Sequence, residues 1–485
     1  MGDWGWRKCM IPFLSVQALS EREIQEIHDC MIRILSKTGM QIEHAGIRKA
    51  LSEYGAESDE KSQRVRFPEN LVEKFLNDSI KIDPRDAKPT VWSGAGVYHG
   101  KYLEPGTNRA ILFSEKALKD YIKLARLLPH VSGINLLNYP PLAGNLTELL
   151  ELRIFTWKNG AEDDGSIHRS ELCPYLYEMY AIKAEFLKKP LEEVFRGMGF
   201  IISPLKFARC EAEQLWFFHE KGLRVNITNM ITLGGSGPVT LAGSLALNLA
   251  ENIAIGIMNR VLYHEFHWGI SCMIAPLDMR TMIQPYGRPE MLLANLATIQ
   301  LAGHYKVSFW VHTGLSDAKV PSPEAGIQKL MSALPCILAG WGRIEPGLLS
   351  IDEIYSPIQM IIDNEIVGAI KRIIRGFEIN EETLAFDLID KTGPGGFFTA
   401  TEHAVQHFKD EIWEPTLWSR EMLGSWLAGD RKTDLDKAYD LWIELMKKPD
   451  FEPGISEEAE KRMREVIHKA ERELSADSAD FHILH

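Results

Sequence analysis

Near the start of the chain, apolar residues recur at helical spacing: Ile24, Ile27, Met31, Ile32 and Leu35. Ser20 with Glu23 three residues later forms a capping box, and Gly39 supplies a stop, so residues 20–39 are expected to be helical. Further helices are expected at about 44–55 and 68–76, giving a small helical domain over residues 1–85. Between 88 and 113 the texture changes to VWSGAGVYHG and KYLEPGTNRAILF, which alternate and carry turn glycines. They read as short hairpins suited to capping the bottom of a barrel.

From about residue 131 short apolar runs alternate with helical stretches. The runs are 133–137, 165–168, 199–203, 223–228, 268–274, 307–312 and 336–341, with a weak eighth at 397–401. Successive starts lie 24 to 45 residues apart, about the length of a βα unit. The expected class is α/β: a (β/α)8 TIM barrel over 86–415, including the hairpin cap, followed by a C-terminal helical extension over 416–485. A doubly wound open sheet has similar spacing, but no GxGxxG turn follows the first strand. Residues 455–474 form a charged helix capped by Ser456, either solvated or packed.

Composition narrows the function classes. The 485 residues are 45% hydrophobic and 25% charged, with a net charge of −13. That acidity disfavours a binder of duplex nucleic acid, whose phosphates need a basic face. Six scattered cysteines (Cys9, Cys30, Cys173, Cys210, Cys272, Cys336) contain no CxxC and read as reduced thiols. The opening MGDWGWRKCM lacks the apolar run of a signal peptide. Asn248, Glu251, Asn252 and Asn259 interrupt the longest apolar stretch, so no membrane span is expected. The expectation is a soluble, cytoplasmic protein.

Several residues are placed to carry chemistry. GGSGPVTLAG follows the run at 223–228 and precedes a helix near Thr240; its glycines allow close backbone approach, and a helix N-terminus favours an anion. A tight loop with no ligand explains it equally well. In 307–312, Trp310 and His312 share one face, with Asp317 following; Trp268 opens another run, which ends in Asp278-Met279-Arg280. An aromatic ring beside a carboxylate at a barrel mouth suits an organic cation, although a Trp there also fills a barrel interior. His403 and His407 are four apart, and His264 and His267 are close, but no HExxH glutamate or third ligand accompanies them, so no metal site is expected. No GxSxG elbow is present.

Taken together, LSEREIQEIHDCMIRILSKTG, GGSGPVTLAG, APLDMR, YGRPEMLLANLATIQLAGHYKV, SDAKVPSPEAGIQKLMSAL and TEHAVQHFKDEIWEPTLWSR look like one family. In their order and spacing, from about residue 18 to 450, the sequence resembles the trimethylamine:corrinoid methyltransferase family. The resemblance implies a (β/α)8 barrel with added helices and a corrinoid (cob(I)alamin) supplied on a separate carrier protein. It also implies a homo-oligomer, with the N-terminal helical domain and the C-terminal segment as natural interfaces. Founding members carry pyrrolysine just ahead of the segment matching Ser316-Asp317-Ala318-Lys319. Here that stretch is His312-Thr313-Gly314-Leu315, which points to the non-pyrrolysine branch and to donors resembling glycine betaine, proline betaine or carnitine.

The chemistry fits that branch. A tertiary amine must be activated before it loses a methyl, whereas a quaternary ammonium already leaves as a neutral amine. Holding the cation in line with the cobalt nucleophile supplies the rate, and no general base is needed. Expected substrate-binding residues are Trp268 and Trp310 for the trimethylammonium group and His312 or Arg343 for a carboxylate. Asp278, Asp317 and Glu345 are expected to support the mouth, and Gly234, Gly235, Ser236 and Gly237 to contact the corrinoid. The alternatives are another quaternary amine, a non-catalytic amine-binding barrel, or a metal-dependent barrel lyase or hydrolase using His403 and His407.

Overall fold

The computed structural model describes residues 15–98, 100–163 and 165–478; Cys9 and the opening MGDWGWRKCM lie outside them. Helix Glu21–Arg33 starts as the capping box requires: the Ser20 hydroxyl accepts from the Glu23 N–H, and the Glu23 carboxylate accepts from Ser20. Ile24, Ile27, Met31 and Ile32 form its buried face. A wider turn at Ile34–Thr38 carries the chain to Gly39, where φ is +68° and a Cβ would run into the Val65 carbonyl. Helices Ala45–Glu53 and Glu69–Asp78 follow near their expected places. The region is not purely helical, however. Strands Met40–Ile42, Glu57–Asp59 and Arg64–Arg66 form a small sheet that Lys206–Phe207 completes. Three-residue strands hold too few alternations to register as a period.

Parallel strands succeed one another around the centre of the molecule. Trp341–Ile344 pairs with Thr90–Val97, which pairs with Gly133–Leu136, and that strand with Glu162–Asp163. A bridge from Ser166 to Met198 leads to Met198–Phe200, which pairs with Asn226–Thr228. The same segment continues as Ile231–Leu233 against Ile274–Pro276, and Gly269–Cys272 pairs with Ser308–Val311. No ladder joins Ser308–Val311 to Trp341–Ile344, so the hydrogen-bonded succession is not closed. Across that seam the Thr313 hydroxyl donates to the Arg343 carbonyl and accepts from the Arg343 N–H.

Four strand expectations need correction. Residues 90–97 are a central strand, not a hairpin; among the described residues of 88–113, Lys101–Leu103 with Ala110–Leu112 is the one antiparallel pair. The apolar run at 336–341 is mostly the end of helix Pro323–Leu338, and the strand starts at Trp341. The run at 165–168 reduces to the bridge at Ser166. The segment 397–401 is no strand, and Phe397 is 86% exposed.

Helix Leu241–Tyr263 is the one helix among the described residues long and apolar enough to cross a membrane, and it is buried in the protein. Its polar residues turn inward: Asn248 and Glu251 accept from the Asn229 amide, Ser203 donates to Glu251, and Asn252 accepts from the Ser271 N–H. Burial pushes the Glu251 carboxyl up despite these donors. Helix Glu457–Ser478 packs rather than standing in solvent. Its Met463 and Ala470 are fully buried, and Arg462 and Lys469 pair with Glu185 and Glu178 of helix Cys173–Leu187. One hydrophobic core runs from Ile24 to Ala470.

Candidate active site

A cavity of about 820 Å³ lies inside the strand succession. Strand Ser308–Val311 turns Val307 and Val311 into the core, both almost fully buried, and Trp310 and His312 toward the cavity. The adjoining wall beyond Trp341–Ile344 comes from Thr90–Val97, whose alternation sets Trp92, Gly94, Gly96 and Tyr98 on one face. A Cβ on Gly94 would overlap the Trp92 ring, and one on Gly96 would press the Tyr98 ring at 3.2 Å. These glycines make room for two aromatic rings.

The rings and charges converge at the seam. Trp310 stacks on His312 with centroids 5.4 Å apart, and the Tyr286 edge meets His312 at 5.6 Å. The Arg343 guanidinium lies over Trp92 at 4.7 Å and Trp310 at 5.4 Å. It pairs with Glu345 at 2.5 Å; the same carboxylate accepts from His312 Nε2 at 3.0 Å and the Tyr98 hydroxyl at 2.9 Å. Glu345 has no solvent exposure. Beneath it, Lys329 Nζ donates to the Glu345 carbonyl at 2.7 Å and to Asp363 at 2.6 Å, both side chains fully buried.

Burial alone would raise the Glu345 carboxyl, but the Arg343 guanidinium and the bonds from His312 and Tyr98 outweigh it and hold it down at about 2. Burial pushes the His312 imidazole below its usual value, against the pull of Glu345. A neutral His312 therefore donates from Nε2 to Glu345, leaving Nδ1 as a lone pair. That buried Nδ1 has no partner, and neither does Arg343 Nε.

Of the expected site residues, the structure brings together Trp310, His312, Arg343 and Glu345. Trp268 lines the same cavity but at the N-terminal end of its strand, three residues ahead of Ser271, the register partner of Trp310. Its ring packs against Phe75 and Tyr305 at 5.7 and 5.8 Å. Asp317 accepts from the N–H groups of Tyr286 and Gly287, fixing the loop that carries Tyr286. Asp278 lies outside the cavity and caps its own turn through the Arg280 and Thr281 N–H groups.

The glycine loop folds on itself after strand Ile231–Leu233. Gly234 donates to the Gly237 carbonyl, and Ser236 accepts from the Thr232 N–H. A Cβ on Gly237 would strike Ile231 and Ser244, so packing accounts for that glycine. His403 and His407 lie 4.3 Å apart beside Glu382, and no group of three or more metal-ligating side chains occurs among the described residues. Sequence reasoning missed Trp92, Tyr98, Tyr286, Lys329 and Asp363. The aromatic-Gly-Gly-aromatic alternation of 92–98 was the available signal for the first two.

A family profile described as trimethylamine methyltransferase (MTTB) matches residues 192–475, more than half of the chain. The chain belongs to the trimethylamine methyltransferase family. Among similar proteins, trimethylamine methyltransferase MttB of Methanosarcina barkeri (strain Fusaro) is 28% identical over 471 residues, covering 93% of this chain and 94% of its own. The glycine betaine methyltransferase of Desulfitobacterium hafniense (strain Y51) is 25% identical over 485 residues, covering 95% and 98%. Among solved structures, the hydroxylamine complex of MtmB overlays 93% of this chain on 92% of its own, at 12% identity and a TM-score of 0.43. This family member is thus a methyltransferase of the methylamine type. The family is corrinoid-dependent, which implies a corrinoid protein as partner.

Proposed function

We propose that this enzyme moves a methyl group from a quaternary amine, foremost glycine betaine, to the Co(I) of a corrinoid carried on a separate protein. Arg343 carries the reading. Its guanidinium lies across two indole faces and keeps a buried Nε without a partner. A carboxylate is the group that completes a guanidinium, and aromatic faces suit the cationic end of the same molecule. Trimethylamine has no carboxylate and would leave that donor unfilled. The local charges agree with a zwitterion, since Arg343 and Glu345 cancel and His312 is neutral.

In this reading the eight strand positions form a (β/α)8 barrel whose C-terminal end receives the corrinoid protein. Trp310 and Trp92 face the trimethylammonium group, with Trp268 deeper in the cavity, while Arg343 and His312 orient the carboxylate end. Glu345 fixes Arg343 and His312, and Asp317 fixes the Tyr286 loop. Asp278 and the loop Gly234, Gly235, Ser236 and Gly237 lie at strand ends on the docking side. His312, Thr313, Gly314 and Leu315 stand where the resemblance places pyrrolysine, so donor activation rests on the positive charge of its own nitrogen.

The corrinoid is a second substrate, the methyl acceptor. The Co(I) electron pair forms the new bond to carbon, and the C–N pair returns to nitrogen, releasing a neutral tertiary amine. The side chains hold the donor in line, which can supply on the order of 7–11 kcal/mol. Ring contacts must stay modest, because positive charge disperses in the transition state.

The test mixes the purified protein anaerobically with cob(I)alamin or its corrinoid protein and a panel of quaternary amines, with trimethylamine as comparison. Methylcobalamin absorbance rising with glycine betaine but not trimethylamine is expected. Preference for trimethylamine, or betaine binding with no transfer to either acceptor, would overturn the reading. The homo-oligomer belongs to the same proposal: between residues 377 and 422, Phe377, Ile379, Phe386, Phe397 and Met422 are each at least 63% exposed, apolar side chains that a second copy would cover. Sedimentation velocity tests it.

A further inference from the structure

The cavity reaches both ends of the strands. Tyr98, Met230 and Leu348 bound it beyond the C-terminal ends, whereas Arg224, Asn226 and His267, all exposed, bound it at the N-terminal ends. Between Asn226–Thr228 and Gly269–Cys272 no ladder forms; pairing of those two segments begins only at Ile231 with Ile274. Helix Leu241–Tyr263 shows through this gap and contributes Asn252 and Asn259 to the wall. Two polar atoms on the lower stretch are buried without a partner, Trp268 Nε1 and Asn259 Oδ1. The rim carries the ion pair of Arg224 with Glu265 at 2.7 Å.

We propose that this N-terminal opening is the route by which the amine donor reaches the site and the demethylated amine leaves, while the corrinoid protein covers the C-terminal face. The inference rests on the donor and docking assignments made above. In an in-line displacement the leaving nitrogen lies on the far side of the methyl carbon from the cobalt. As the C–N bond breaks and its electron pair returns to nitrogen, the tertiary amine faces away from the carrier and toward the N-terminal opening. A dead-end site would require the carrier to dissociate before each donor could exchange; a passage open at both ends does not. The passage also suits a zwitterion, with Arg224 for a carboxylate, Glu265 for an ammonium and the free Trp268 N–H donor further in.

The test uses the full-length enzyme with its corrinoid protein and glycine betaine. Asn226 is exposed, so Asn226→Trp narrows the opening without entering the core. The expected result is a fall of at least about tenfold in kcat/KM for betaine, with single-turnover transfer from prebound donor unchanged. A kcat/KM within about twofold of wild type overturns the route. A second measurement follows betaine binding by tryptophan fluorescence in stopped flow, with the enzyme free and saturated with carrier. Equal association rates support the route, and association blocked by the carrier overturns it. Failure of the donor assignment has a different signature: the wild type then turns over no quaternary amine.

Discussion

Replacing Glu345 by Gln keeps the side-chain volume and removes one buried charge. The carboxyl sits at about 2 in the folded protein against an ordinary value of 4.5. That difference corresponds to about 3 kcal/mol of stability at neutral pH. A second estimate agrees in size: the variant leaves Arg343, whose side chain is 12% exposed, without its anion, and breaking a buried pair costs about 3–5 kcal/mol. The sign follows from a depressed folded value. The contribution is complete above 4.5 and is lost as pH falls from there toward 2, with about 1.4 kcal/mol gone by roughly pH 3.5. Urea unfolding of wild type and Glu345→Gln at about pH 7 and 3.5 reads both effects. The expected gap is about 3–5 kcal/mol at neutral pH, narrowing by about 1.4 kcal/mol at roughly pH 3.5. A neutral-pH gap below about 1 kcal/mol, or one that ignores pH, would refute the account of this carboxylate.

Trp310→Ala should raise KM for betaine about 2- to 30-fold, the equivalent of a lost ring contact, while Trp310→Phe keeps most of the affinity; unchanged turnover in the alanine variant would remove Trp310 from the donor site. Since burial holds His312 neutral and Glu345 stays ionised, kcat/KM should be flat between about pH 6.5 and 8.5, and a titration near 7 in the rate profile would contradict this. Lys329→Met should destabilise the protein by about 3–5 kcal/mol by stranding Asp363, and adding Asp363→Leu should recover much of it, both read by thermal unfolding. Gly235→Asp should raise KM for the corrinoid protein several-fold with kcat unchanged; normal carrier kinetics would dissociate that loop from docking.

Some of this molecule is plain in its residues. The Ser20 and Glu23 box marks the first helix because both partners are local, and the alternation of 307–312 assigns Trp310 and His312 to one face. Other parts are hidden for physical reasons. Strand Thr90–Val97 is rich in glycine because the space above it belongs to Trp92 and Tyr98, and that composition mimics turns. The end of helix Pro323–Leu338 is a short apolar run bounded by Pro335 and Gly340, which passes for a strand. Glu345 drew attention through resemblance alone, since its partners Tyr98 and His312 are 247 and 33 residues away. Lys329 and Asp363 sit on two different helices, and a buried ion pair of that kind leaves no spacing to read.

The seam beside Arg343 has a bearing on how such a scaffold changes its diet. Trp310 and His312 stand on one bank and Arg343 and Glu345 on the other, and the Thr313 hydroxyl ties the banks where elsewhere a strand ladder would. Spreading them to admit a bulkier amine stretches side-chain bonds and one long backbone bond, from the Glu345 N–H to the Gly314 carbonyl at 3.5 Å, and leaves the neighbouring ladders intact. Selectivity can therefore drift along a lineage by small substitutions along this seam, while the strand pairs on either side keep their register.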